Sequence, residues 1–129
     1  MSRRDDTLRL QDMLAAAHDA QAFAAGKTES DLSHDKQLTL ALLKCVEIIG
    51  EAATRVGADT RARYPALPWA DMIAMRNRLV HIYFDIDLSL LWITVTDDLP
   101  TLIVELERIT GGNTAQKCSI VRQMTNGKK

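Results

Sequence analysis

From Leu88 to Ile109 the apolar residues fall at Leu88, Leu91, Trp92, Val95, Leu99, Leu102, Leu106 and Ile109. Steps of three and four kept up over that length suit one kind of backbone. An α-helix turns once in 3.6 residues, so this row becomes a single stripe down one side. A strand would send alternate members of the row to opposite faces. A helix with one long apolar side must bury it, and the rest of the chain offers helices to bury it against. A second stripe, Leu38, Leu42, Cys45, Ile49, Ala52 and Val56, has the same period. Sheets have little support: six Gly, three Pro and few aromatics supply little turn chemistry for many strands.

Local signals place the other elements. A first helix is expected from about Arg4 to Ala25, with Leu10, Leu14, Ala17 and Ala24 on its inner side and Gly26 as its stop. The second begins near Ser30 or Asp31, either of which can cap free N–H groups, and ends at Gly57. Residues 58–68 read as a connecting loop punctuated by Pro65 and Pro68. Pro68 suits the first turn of a third helix reaching about Tyr83. Asp85-Ile86-Asp87 marks a break, with Asp87 a candidate cap for the last helix. Pro100 lies off that helix's stripe and is expected to kink it without ending it; Gly111-Gly112 closes it. The sum is an all-α, up-and-down bundle of four to five helices over residues 1–112, followed by a polar, basic, flexible tail over 113–129.

At 129 residues the chain has room for one core and not two. The charged start, Met1-Ser2-Arg3-Arg4-Asp5-Asp6, is followed by no apolar targeting run, and no stretch is long enough to span a membrane. A cytoplasmic protein with no membrane partner is therefore expected. Cys45 and Cys118 are too few and too far apart for a disulfide framework, and Cys45 reads as a small core residue. With a net charge of −1, any grip on nucleic acid must come from a local basic patch. Arg55, Arg61, Arg63, Arg76 and Arg78 crowd one part of the chain, and the tail carries Lys117, Arg122, Lys128 and Lys129 with no acid.

The segment Arg76-Asn77-Arg78-Leu79-Val80-His81-Ile82-Tyr83 concentrates groups capable of chemistry. Arg76 falls within an apolar stripe, where a guanidinium is costly to bury unless it is paired, lies at a subunit interface or lines a cleft. Alternatively its stem packs and its head reaches solvent. Arg76 and His81 stand about 140° apart around an ideal helix and about 7.5 Å along it. A site using both needs a distorted helix end or two chains. The residue types suit RNA cleavage. A histidine titrating near neutrality can take the 2′-hydroxyl proton or give one to the leaving 5′-oxygen. A guanidinium can hold the phosphate and stabilise the added charge. Asn77 is suited to orienting either group. No step calls for a metal or other cofactor. Glu47 and Glu51 lie one turn apart, and Glu51 with Arg55 makes an ordinary helix pair; in a functional role one of these carboxylates would support the Arg76/His81 site. His18 and His34 could join His81 and Glu47 as metal ligands in a bundle, but no ligand spacing supports them.

The ordered set resembles the HEPN ribonuclease motif, in the Arg-x4-His-x-Tyr form of HepT-like toxins. Its surroundings are similar as well: Glu47-Ile48-Ile49-Gly50-Glu51-Ala52, Tyr64-Pro65-Ala66-Leu67-Pro68-Trp69, Tyr83-Phe84-Asp85-Ile86-Asp87, and Trp92 followed by Asp97-Asp98-Leu99-Pro100. The resemblance covers roughly residues 5–110 and leaves out the tail. It implies a HEPN-like bundle and a metal-independent endoribonuclease acting as a homodimer on an RNA substrate. Arg76 and His81 would be catalytic, with Asn77, Arg78, Glu47 and Glu51 in support. It further implies a toxin role beside a nucleotidyltransferase antitoxin that silences it by AMPylation of Tyr83, where a bulky anion would block the phosphate site. The competing reading is a non-catalytic dimeric helical module that binds nucleotide or a partner protein.

Overall fold

The computed structural model describes residues 3–79 and 85–111, with the side chains of Arg3, Arg4 and Arg76 left aside. The described residues form helices α1 (Arg3–Ala24), α2 (Glu29–His34), α3 (Lys36–Arg55), α4 (Ala58–Arg63), α5 (Trp69–Leu79), α6 (Leu88–Ile93) and α7 (Leu99–Thr110). A π-helical turn, Thr94–Asp98, joins α6 to α7. This is an all-α bundle whose long members are α1, α3, α5 and the α6–α7 rod. The helix α1 packs chiefly on α3 and on α7, and α3 also packs on α5.

Both stripes are inside. Leu38, Leu42, Cys45, Ile49 and Ala52 of α3 are buried, with Val56 just past its end, as are Leu91, Val95, Leu99, Leu102 and Leu106 of the rod. Apart from Val56, they meet Leu10, Met13, Leu14, Ala17 and Ala20 of α1 in one core. Burial in that core pushes the Cys45 thiol up to about 12, so it is a packing residue, as its apolar surroundings suggested. None of the described helices is long and apolar enough to cross a membrane.

Three local expectations outside α5 need correction. The second helix does not run unbroken from Ser30 or Asp31. Thr28 precedes α2, and Asp31 reaches back to accept the Thr28 N–H at 2.8 Å. The chain then breaks at Asp35, whose extended backbone and side-chain bond from the Leu38 N–H (3.0 Å) start α3 afresh. Aspartate takes that role because its carboxylate supplies an acceptor to an otherwise free helix-end donor. The stretch expected as a loop over 58–68 contains α4. Asp6 of α1 is buried there and accepts the Thr60 hydroxyl at 2.6 Å and the Gly57 N–H at 3.3 Å. That bond holds the end of α3 against the start of α1, as antiparallel neighbours. Last, Pro100 does not kink a plain α-helix: the rod widens into the π turn just before it, with the Leu99 N–H donating to the Thr94 carbonyl five residues back. Proline has no N–H to offer the Thr96 carbonyl, and a wider turn re-partners the ladder around that gap. Asp87 caps α6 as expected, accepting the Leu90 N–H at 3.0 Å.

Candidate active site

The motif helix α5 is held at both ends. At its start the Pro68 carbonyl accepts the Met72 N–H at 2.9 Å, so Pro68 sits just outside the helix and not in its first turn. Trp69 donates its indole N–H to the Tyr64 carbonyl at 3.0 Å, and its ring lies 5.9 Å from the Arg61 guanidinium. Arg61 in turn donates to the carbonyls of Ala53, Thr54 and Val56 at 3.0–3.1 Å. Those carbonyls lie in the last turn of α3 and at its cap, where helix-end acceptors gather, so one arginine closes α3 and steadies the entry to α5. At the far end, the Leu79 carbonyl accepts the Asp87 N–H at 2.7 Å. The two ends of the stretch carrying His81 and Tyr83 are thus fastened together at the end of α5.

Midway, α5 presses on α3. A Cβ built on Gly50 would stand 2.9 Å from the Met72 carbonyl oxygen. Real Cβ atoms do not come that near to backbone, so glycine is what permits this crossing. In the sequence Gly50 stands out only as part of the run from Glu47 to Ala52, and Arg61 only as one of several clustered arginines. A helical glycine flanked by Ile49 and Glu51 hints at a close approach, whereas nothing local marks the partners of Arg61.

Asn77 and Arg78 are exposed on α5, and Arg78 pairs with Asp71 at 3.1 Å. Two positions on a helix are separated by about 200°, so the position of Arg78 lies nearly opposite that of Arg76. Arg78 and Asp71 line a groove of about 330 Å³ between α5 and the α6–α7 rod. Glu47 and Glu51 line a different groove, between α1 and α3, with Arg9, Asp12, Asp19 and Lys44. The supporting residues named from sequence are therefore not gathered on one surface. Arg55 pairs with Glu51 at 3.3 Å, as the helix spacing suggested. The expected basic patch is also divided: Arg55, Arg61 and Arg78 are each engaged within the chain. His81 and Tyr83, and the side chain of Arg76, lie outside the described residues.

The two described histidines, His18 and His34, do not come together as metal ligands. His18 Nε2 lies 3.7 Å from Glu107 of α7, and His34 Nδ1 lies 3.0 Å from the Ser30 carbonyl. Among the described residues no group of His, Cys, Asp and Glu is placed to hold a metal ion.

Comparison with known proteins agrees on one family. The family model described as ribonuclease HepT-like matches residues 13–109. A Methanocaldococcus jannaschii protein named "Putative RNase" is 37% identical over 107 residues, covering 83% of this chain and 98% of its own. A Thermococcus cleftensis protein named "Probable ribonuclease HepT" is 34% identical over 100 residues, covering 78% of this chain and 91% of its own. A fusion from Methanocaldococcus jannaschii, named "Gamma-glutamylcyclotransferase and putative RNase", is 34% identical over 107 residues, or 83% of this chain and 48% of its own. No solved structure matches the chain.

Proposed function

We propose that this chain, which belongs to the HepT-like ribonuclease family, cuts RNA internally and without a metal ion, as a homodimer whose two motifs face one cleft. Family membership carries the reading, and the complete set of Arg76, Asn77, His81 and Tyr83 in the sequence supports it. His81 of one copy takes the ribose 2′-hydroxyl proton, and the 2′-oxygen attacks the adjacent phosphorus. The bond from phosphorus to the 5′-oxygen breaks, and a protonated His81 of the other copy gives that oxygen its proton. Arg76 holds the non-bridging oxygens and offsets their charge. The products carry a 2′,3′-cyclic phosphate and a free 5′-hydroxyl. Because general acid, general base and countercharge all come from side chains, the scheme calls for no metal.

The same reading makes the protein a toxin silenced by a nucleotidyltransferase that transfers AMP to Tyr83. Expressed alone, the chain should arrest growth, and His81→Ala should relieve the arrest. Unimpaired growth with the unaltered chain would sink the reading and leave a binding module. Incubation with the nucleotidyltransferase and ATP should add adenylyl mass to the chain but not to Tyr83→Phe.

A further inference from the structure

The groove between α5 and the α6–α7 rod has no role in the RNA chemistry above. Its floor is apolar, with Leu67, Met72, Leu79 and Leu102 buried along it. Its rim is acidic: Asp71, Asp97, Asp98 and Glu105 stand against Arg78 alone. Two of those carboxylates are matched, Asp71 by Arg78 at 3.1 Å and Glu105 by Arg108 at 2.6 Å. Asp97 and Asp98 are exposed and have no basic partner among the described residues. An apolar trough under unbalanced negative charge suits a segment that is both apolar and basic.

We propose that this groove is the docking site of the chain's own segment 117–124, Lys117-Cys118-Ser119-Ile120-Val121-Arg122-Gln123-Met124. Beyond Ile109 the large apolar residues are Ile120, Val121 and Met124, and the charged residues after Gly111 are all basic: Lys117, Arg122, Lys128 and Lys129. The segment's composition therefore answers both floor and rim. The tether is right as well. Gly111, at φ +75, turns the chain out of α7, one wall of the groove. Glu105 on that wall lies about 9 Å back along the helix from Gly111, whereas the chain from Gly111 to Ile120 can span about 30 Å. Ile120, Val121 and Met124 would cover the floor beside Leu79 and Leu102, with Lys117 and Arg122 set against Asp97 and Asp98. The family match stops at residue 109, so this strap is an addition to what the family shares. It does not depend on the ribonuclease reading.

The two cysteines make a test in the full chain direct. Cys45 is buried with its thiol pushed up to about 12, so a thiol-reactive spin label goes to Cys118. Met72 and Met75 line the groove and report through methyl-enriched methionine. With the label oxidised, both methyl signals should lose most of their intensity and regain it when ascorbate reduces the label. Ile120→Asp with Val121→Asp should abolish the loss without touching the groove. Asp97→Lys with Asp98→Lys should abolish it without touching the tail. Equal methyl intensities in the oxidised and reduced states would overturn the proposal. So would a loss that appears in mixtures of labelled chains with separately enriched, unlabelled chains, since the tail would then belong to a second copy.

Discussion

The two longest apolar rows, one in α3 and one in the α6–α7 rod, look alike in sequence and are built differently. In α3 the row steps four, three, four, three from Leu38 to Ala52, with Val56 four further on at the cap, matching the α-helical turn, and the helix runs without interruption. In the rod, Leu91, Val95 and Leu99 take two four-residue steps in succession, which drift about 80° on a straight α-helix. The π turn falls across those steps and just before Pro100. Thr94 and Thr96 each donate a hydroxyl to the carbonyl four residues back, Leu90 and Trp92, at 2.8 Å, adding a bond to two carbonyls of α6 just before the irregularity. Apolar period thus reports which side of a helix is buried, and it is silent on how the backbone ladder closes. A regular ladder lets α3 carry the close crossing at Gly50. The irregular one lets the rod keep its stripe buried around a proline.

The largest expected effect is at the α3 crossing. Gly50→Val puts its Cβ 2.9 Å from the Met72 carbonyl oxygen, which is backbone and cannot swing aside. Overpacking of this kind costs about 1–3 kcal/mol or more, against a helix-propensity gain of under about 1 kcal/mol. Net destabilisation in urea should accompany a loss of RNA cleavage beyond the loss of folded protein, because α5 must move. A variant as stable as the parent would show that α3 has slack there. Thr60→Val comes next. It removes the 2.6 Å donor from buried Asp6 and should cost about 1–3 kcal/mol by the same measurement.

Pro100→Ala sharpens the comparison and does not simply weaken the fold. It restores an N–H that can reach the Thr96 carbonyl, so the amide at 100 should be protected from hydrogen exchange and the π turn should close to α. Persistence of the π turn would assign it to the spacing of Leu91, Val95 and Leu99 and not to proline. The smallest effect is at Asp19, whose carboxyl is pushed up by burial and drawn partly back by His18. Its folded form holds the proton more tightly than the unfolded chain does. Ionisation therefore takes away stability as pH rises through the carboxylate range. Asp19→Asn should be slightly more stable than the parent at neutral pH, and the gap should close in acid; a gap independent of pH would rule out ionisation as its cause.

What the sequence made legible follows the same division. The stripes of α1, α3 and α7, the Asp87 cap and the Gly111 stop are local signals, each readable within a few turns, and all appear in the structure. The break at Asp35 is hard to see in sequence because Ser30 and Asp31, a turn earlier, offer the same capping chemistry that Asp35 supplies to the Leu38 N–H. Asp6 with Thr60, Arg61 with the end of α3, and Gly50 with Met72 depend on partners distant in sequence, and periodicity does not encode them. At the candidate site, residue identity and order carried the reading of Arg76 and His81. Spacing alone could not say that Arg78 would pair with Asp71, or that Glu47 and Glu51 would line a separate groove.

The most direct measurement is cleavage of total RNA by the purified chain in EDTA, with intact mass showing no adduct on Tyr83. Arg76→Ala and His81→Ala are run beside it. The account predicts fragments with 2′,3′-cyclic phosphate ends from the unaltered chain, and none above background from either variant. Intact RNA from the adduct-free chain would contradict it, as would cleavage that survives His81→Ala.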